Sequence, residues 1–262
     1  MGDGREHDSV LFARRARSFG AAAAGYDAHR PDYPIAGVRW ALAPVSGAVE
    51  SHDRAGLEVL DLGAGTGKLT GVLLAAGARV TAVDPDPQMC AALTARYREV
   101  RVLAGTAEAI PLDDDSVDAV VAGQAFHWFD PGRALPEIAR VLRPGGVVAA
   151  FWNAHDTSVE WVAGLDRVSR SSVSSAGSLA ERVPAHPLFH PFERTHFPHV
   201  QRRTAESLTA TIGTHSHTLV VSAAERAEVL DRITSYLRTC PETAAGEFDM
   251  PLRTLVFRAV TK

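Results

Sequence analysis

Leu57-Glu58-Val59-Leu60-Asp61-Leu62-Gly63-Ala64-Gly65-Thr66-Gly67-Lys68 decides the fold: a hydrophobic run passes straight into three alternating glycines and then into a helix-forming stretch. Glycines let a backbone turn sharply and approach a ligand without Cβ clashes. The N–H groups that open a helix can then meet a small polar group. Alone, the same pattern serves equally as a tight β–α turn with no ligand.

The sequence on either side supplies context. From Gly56 to Trp152 short β-rich runs alternate with longer amphipathic ones, the pattern of successive β–α units around a parallel sheet. Strands are expected at Leu57 to Leu62, Arg79 to Val83, Val100 to Ala104, Asp118 to Ala122 and Val147 to Trp152, and helices at Lys68 to Ala76, Asp86 to Arg98 and Arg133 to Leu142. The strands' Val, Leu and Ala content suits burial on both faces. Gly77 ends the first helix, and Pro144-Gly145-Gly146 the third. Asp113-Asp114-Asp115 reads as a turn before the fourth strand.

Beyond this core the pattern loosens. Ser9 to Ala48 reads as two helical pieces interrupted by Tyr26 to Pro34, where Pro31 and Pro34 forbid a continuous helix. A helix is expected at Ser158 to Ser171, followed by a Ser-rich stretch. Pro184 to Pro198, dense in His and Pro, reads as a surface excursion. Helices at Ala205 to Ile212 and Ala223 to Thr239 and a strand at Leu252 to Val260 close the chain.

Composition narrows the function. The chain has 262 residues, is 46% hydrophobic and carries a net charge of −4, without the basic excess of a protein that lives on phosphate backbones. No nucleic-acid partner is expected. Two cysteines are too few for a disulfide framework. Met1 to Gly20 lacks the apolar run of a signal peptide, and no run approaches the roughly 18–20 apolar residues that span a bilayer. A cytoplasmic protein without a membrane partner, monomeric or homodimeric, is expected. Among the 11 histidines, His186, His190, His196 and His199 lie in irregular sequence without ligand spacing, so no metal is expected.

Two nucleotide-type readings compete for the glycine loop. A dinucleotide fingerprint, Gly-x-Gly-x-x-Gly, would require glycine at position 68, where Lys68 stands. The observed Gly-x-Gly-x-Gly, with Asp61 two residues ahead, resembles motif I of class I S-adenosylmethionine-dependent methyltransferases. The resemblance continues in order. Val80-Thr81-Ala82-Val83-Asp84-Pro85-Asp86 resembles the second strand with its ribose-binding acid. Ala104-Gly105-Thr106-Ala107-Glu108 resembles the adenine-contact segment, with Thr106 where the family often has Asp. Ser116 to Phe129 resembles the fourth strand and its loop, and Arg140 to Gly146 the approach to the fifth strand. Tyr26-x-x-x-Arg30-Pro31-x-Tyr33 together with Gln124-Ala125-Phe126-His127-Trp128-Phe129 is similar to the small-molecule, trans-aconitate methyltransferase-like group.

That resemblance implies a Rossmann-like α/β fold. It has a mostly parallel seven-stranded sheet with helices on both faces, an N-terminal helical lid and a helical or irregular cap after the fifth strand. Residues 1–50 would form the lid segment and 51–262 the methyltransferase domain, divided into a core at 56–153, a cap at 154–198 and a C-terminal part at 199–262. S-adenosyl-L-methionine would be held by Asp61, Gly63, Gly65, Gly67, Asp84, Pro85, Thr106, Ala107 and Gln124. Tyr26, Arg30 and Tyr33 would cover its methionine end, with Arg30 free to pair with the carboxylate.

Ligands of open α/β sheets bind beyond the carboxyl ends of the strands, which directs Gln124, His127 and Trp128 toward the reaction centre. The acceptor would be a small molecule methylated on a carboxylate or hydroxyl oxygen. A carboxylate is ionised at neutral pH and needs no base, whereas a hydroxyl would make His127 the candidate base. Neither Asn/Asp-Pro-Pro-Tyr/Phe after the fourth strand nor a Pro-Cys nucleophile occurs, which leaves amino methylation of adenine or glutamine and cytosine C5 chemistry unsupported. A nicotinamide-dependent oxidoreductase and a non-catalytic cofactor-binding protein remain as alternatives.

Overall fold

A computed structural model describes residues 31–47, 56–173, 183–214 and 216–262. The elements in chain order are α1 (Ile35–Leu42), β1 (Glu58–Leu62), α2 (Lys68–Ala75), β2 (Arg79–Asp84), α3 (Pro87–Arg96), β3 (Arg101–Ala104), β4 (Val117–Gly123), α4 (Pro131–Val141), β5 (Leu142–His155), α5 (Glu160–Val168), β6 (Glu193–Arg203), α6 (Ala205–Ile212), α7 (Ser216–Leu219), α8 (Ala223–Thr239) and β7 (Phe248–Val260). They build a seven-stranded sheet of order β3-β2-β1-β4-β5-β7-β6. The first five strands are mutually parallel, and β7 runs antiparallel to both β5 and β6. This is the expected α/β class.

The period-2 alternation of the strands explains the two-sided core. Leu60, Leu62, Val120, Ala122, Val148, Ala150 and Trp152 face one layer, which α4 covers with Leu135 and Ile138. Their neighbours Val59, Ala119, Val121, Val147, Ala149 and Phe151 face the other, under Val38, Leu69, Leu73 and Leu93. Neither face of these strands meets water, as parallel β–α units require. A third cluster packs Leu165, Leu208, Ile233 and Leu237 of the late helices on Phe248, Met250 and Leu252 of β7.

Two expectations change. The fifth strand does not start at Val147: pairing begins at Leu142↔Val117, and a bulge through Arg143 to Gly146 absorbs the Pro-Gly-Gly sequence, with Gly145 at φ 76. It also extends to His155, paired with Leu252. The surface excursion expected over Pro184 to Pro198 ends in strand β6, which pairs with β7 from Glu193↔Arg258 to Arg203↔Phe248. An edge strand tolerates Pro198 because one row of its N–H groups needs no ladder partner. Its alternate residues are exposed, so it carries no apolar period to read. Phe197 packs on Trp40, and Arg258 lies 3.9 Å over the Trp40 ring while pairing with Glu193, which ties α1 to this edge.

At the end of the sheet away from the glycine loop, the buried Asp118 carboxylate accepts from the Glu58 N–H (2.9 Å) and from Arg143 (2.9 Å), locking β1, β4 and the bulge together. Arg143→Met removes the cation from a buried carboxylate, and a loss of about 1–3 kcal/mol is expected, the lower end reflecting partial exposure of the arginine. Thermal unfolding measures it, and an unchanged midpoint would remove this role.

Candidate functional site

The strand order reverses between β1 and β4, and a cavity of about 190 Å³ opens there at the carboxyl ends of the strands. The glycine loop forms its floor. Gly63, Gly65 and Gly67 all lie in the left-handed region, at φ 69, 56 and 86. Space imposes a second demand at two of them. A Cβ on Gly63 would stand 2.7 Å from the Ala125 Cβ, and one on Gly67 would press on Tyr97 and Leu93 at 3.0–3.2 Å. A Cβ on Gly65 would meet nothing within 4 Å among the described residues, and Gly65 lines the cavity.

Two carboxylates bound this floor. Asp84, at the end of β2, accepts the Gly65 N–H on Oδ2 (2.8 Å) and the Asp86 N–H on Oδ1 (2.9 Å), leaving each oxygen a further lone pair. Burial pushes its pKa up against the pull of these N–H groups. Asp61 is fully buried. Its Oδ2 accepts the Thr70 hydroxyl at 2.6 Å, while Oδ1 has no hydrogen-bond partner among the described residues. Desolvation raises the Asp61 pKa to about 7; the Thr70 bond opposes that rise and the nearby Asp84 charge adds to it.

The β4 loop supplies another wall. Gln124 adopts φ 53, unusual for a non-glycine residue, and is held there by its N–H to Phe151 O (2.8 Å) and its Nε2 to Asn153 O (2.9 Å). Trp128 and Phe129 line the cavity with it. His127 does not. Its Nδ1 faces the buried Trp152 indole N–H at 3.4 Å, and its ring lies behind Trp128 with centroids 4.8 Å apart.

The other expected positions separate. Pro85 and Tyr33 line the cavity, Tyr33 packing edge-on against Phe151. Thr106 and Ala107 lie on the loop after β3, outside the cavity lining; Ala107 is buried in the core, and Thr106 is exposed and bridges to Ala109. Helix α4 fixes the following stretch of that loop. Glu137 accepts the Ile110 N–H at 3.0 Å, and Arg140 donates to the Ile110 and Leu112 carbonyls at 2.9 Å each. Their mutual ion pair holds the Glu137 pKa down and the Arg140 pKa up. Tyr26 and Arg30 lie outside the described residues.

Sequence reasoning passed over Pro31, Met89, Phe129 and Asn153, all of which line the cavity, and used Lys68 only to exclude a dinucleotide motif. Asn153 had a signal: it stands at the carboxyl end of a parallel strand.

A family profile described as a methyltransferase domain matches residues 60–150. An uncharacterized methyltransferase of Mycobacterium tuberculosis is 39% identical over 92% of this chain and 95% of its own length. The malonyl-[acyl-carrier protein] O-methyltransferase of Pectobacterium atrosepticum is 34% identical over 71% of this chain and 73% of its own. Among solved structures, a proposed type II methyltransferase from Anaeromyxobacter dehalogenans superposes with a TM-score of 0.60 at 28% identity, covering 88% of this chain and 96% of that one. Glycine loop, strand order and near full-length similarity agree: the chain belongs to the class I S-adenosylmethionine-dependent methyltransferases.

Proposed function

We propose that this enzyme binds S-adenosylmethionine in the cavity above the glycine loop and transfers its methyl group to a carboxylate oxygen of a small-molecule acid. The observation that carries the reading is the buried, unpartnered Asp61 Oδ1 at one end of the loop, with Asp84 holding spare acceptor capacity at the other. A ligand with an ammonium at one end and a diol at the other suits that pair, because a buried carboxylate oxygen without a donor is costly until a cation or N–H reaches it. Gly65 leaves the space between them open.

When bound, the cofactor supplies a methyl group activated by a sulfonium. The chain's own residues bind, orient and exclude water. Asp61 takes the ammonium and Asp84 the ribose hydroxyls, while Tyr33, Gln124 and Trp128 wall the acceptor end. A carboxylate arrives ionised at neutral pH and needs no base. This suits the placement of His127, which we assign to supporting Trp128. The similarity to malonyl-[acyl-carrier protein] O-methyltransferases supports an oxygen acceptor.

Three measurements test this reading. Calorimetric titration with S-adenosylhomocysteine should show binding by the wild type and a loss of tenfold or more in affinity for Asp84→Ala, roughly the value of hydrogen bonds to a charged group. No binding by the wild type would sink the proposal.

The second follows from the Asp61 pKa near 7. The free protein holds this proton and an ammonium displaces it, so affinity should rise with pH up to about 7 and flatten above it, until the ligand's own ammonium deprotonates at more alkaline pH. Asp61→Asn should abolish that rise. The same shift makes Asp61 a stability cost in the ligand-free chain, one that grows as pH climbs from about 4 toward 7.

The third concerns His127. His127→Ala should leave S-adenosylhomocysteine affinity unchanged and the pH profile of kcat with the same limbs as wild type. Disappearance of a limb from the pH profile of the variant would restore His127 as a base.

A further inference from the structure

Pro31–Tyr33 crosses the rim of the cavity and is attached on both sides. Helix α2 provides one attachment: Lys68 Nζ lies 3.1 Å from Asp32 Oδ1. The end of β5 provides the other: Asn153 Nδ2 donates to the carbonyls of Pro31 (3.3 Å) and Asp32 (3.2 Å). Lys68 and Asn153 both line the cavity, as do Pro31 and Tyr33.

The direction of the Asn153 amide is fixed by chemistry. The fully buried Thr254 hydroxyl has one proton, and its oxygen stands 2.5 Å from Asn153 Oδ1 against 3.5 Å from His199 Nδ1. With Oδ1 satisfied by that donor, the NH₂ must face the two strap carbonyls, which have acceptor capacity only. The Asn153 backbone carbonyl meanwhile receives Gln124 Nε2. One residue therefore joins strap, β7, acceptor wall and cavity.

Building on the cofactor reading above, we propose that Asn153 is a positioning residue which, with Lys68, forms a two-point clasp holding Pro31–Tyr33 over the bound cofactor, so that release of S-adenosylhomocysteine requires the clasp to open. The Lys68 arm is electrostatic and reaches a largely exposed carboxylate, so salt weakens it. The Asn153 arm depends on donation to carbonyls, which a carboxylate at that position cannot provide.

Displacement kinetics of S-adenosylhomocysteine from the full chain, followed by tryptophan fluorescence, test this. Asn153→Asp and Lys68→Ala should each speed dissociation, roughly tenfold for the former, with smaller changes in association. Because one strap is released in either case, the double variant should fall short of the product of the two effects. Thr254→Val should loosen the complex and Thr254→Ser should not, a distinction that a packing role for Thr254 would not produce. High salt should speed release from the wild type but not from Lys68→Ala. If Asn153→Asp fails to fold, Lys68→Ala at the rim carries the test. Wild-type dissociation rates in both variants, or equal behaviour of the two Thr254 variants, would overturn the clasp alone. No binding by the wild type would overturn the cofactor reading and the clasp together.

Discussion

Two loops leave the neighbouring parallel strands β1 and β4 at the same end of the sheet, and they must diverge without colliding. The critical approach is at Gly63, where any Cβ would fall 2.7 Å from the Ala125 Cβ, closer than real Cβ contacts come. With glycine there, the β1 loop folds back toward β2, its Gly63 N–H bonding Val83 O at 2.8 Å and its Gly65 N–H bonding Asp84. The β4 loop turns the other way, its Gln124 N–H bonding Phe151 O on β5. The cavity is the gap those two commitments leave. The sheet order β3-β2-β1-β4-β5 makes such a gap available at one place in the parallel core, the point where the winding reverses.

The electrostatics of that gap work against the ligand-free fold. Asp61 is buried at the cavity's edge, with one oxygen bonded to Thr70 and the other without a donor among the described residues, and the charge of Asp84 further opposes its ionisation. A structural carboxylate would be expected to satisfy both oxygens, as Asp118 does at the opposite end of the same strands by binding the Glu58 N–H and Arg143. The contrast between these two buried aspartates, one satisfied and one incomplete, separates a residue that holds the sheet together from one arranged for something else.

Much of this was legible in the sequence because the physics was local. The β1-glycine-helix transition and the Val/Leu/Ala strands depend on neighbours a few residues away, and each left its signature. Edge strand β6 left none: its register is dictated by β7, some fifty residues on, and its exposed positions hold Glu, Arg, His, Pro and Val. His127 shows a different limit. The motif that places it after β4 is clear, but whether a ring in a 3₁₀ turn faces the cavity or the core is decided by Trp152 on the next strand. Pattern identified the loop, while packing selected which of its side chains reach the cavity.

Asn153 depends on the least local arrangement of all. Its amide is oriented by Thr254, 101 residues away in sequence, which arrives beside it because β7 inserts antiparallel between β5 and β6 and pairs Asn153 with Thr254 directly. In that register the Thr254 side chain is on the same face as Asn153, where a shift of one residue would turn it to the opposite layer. The antiparallel β6–β7 pair at the sheet's edge is therefore tied to the cavity. It orients the donor that holds the segment crossing the cavity's rim, and the glycine loop, which touches neither β6 nor β7 in the sheet, does not bound the cavity alone.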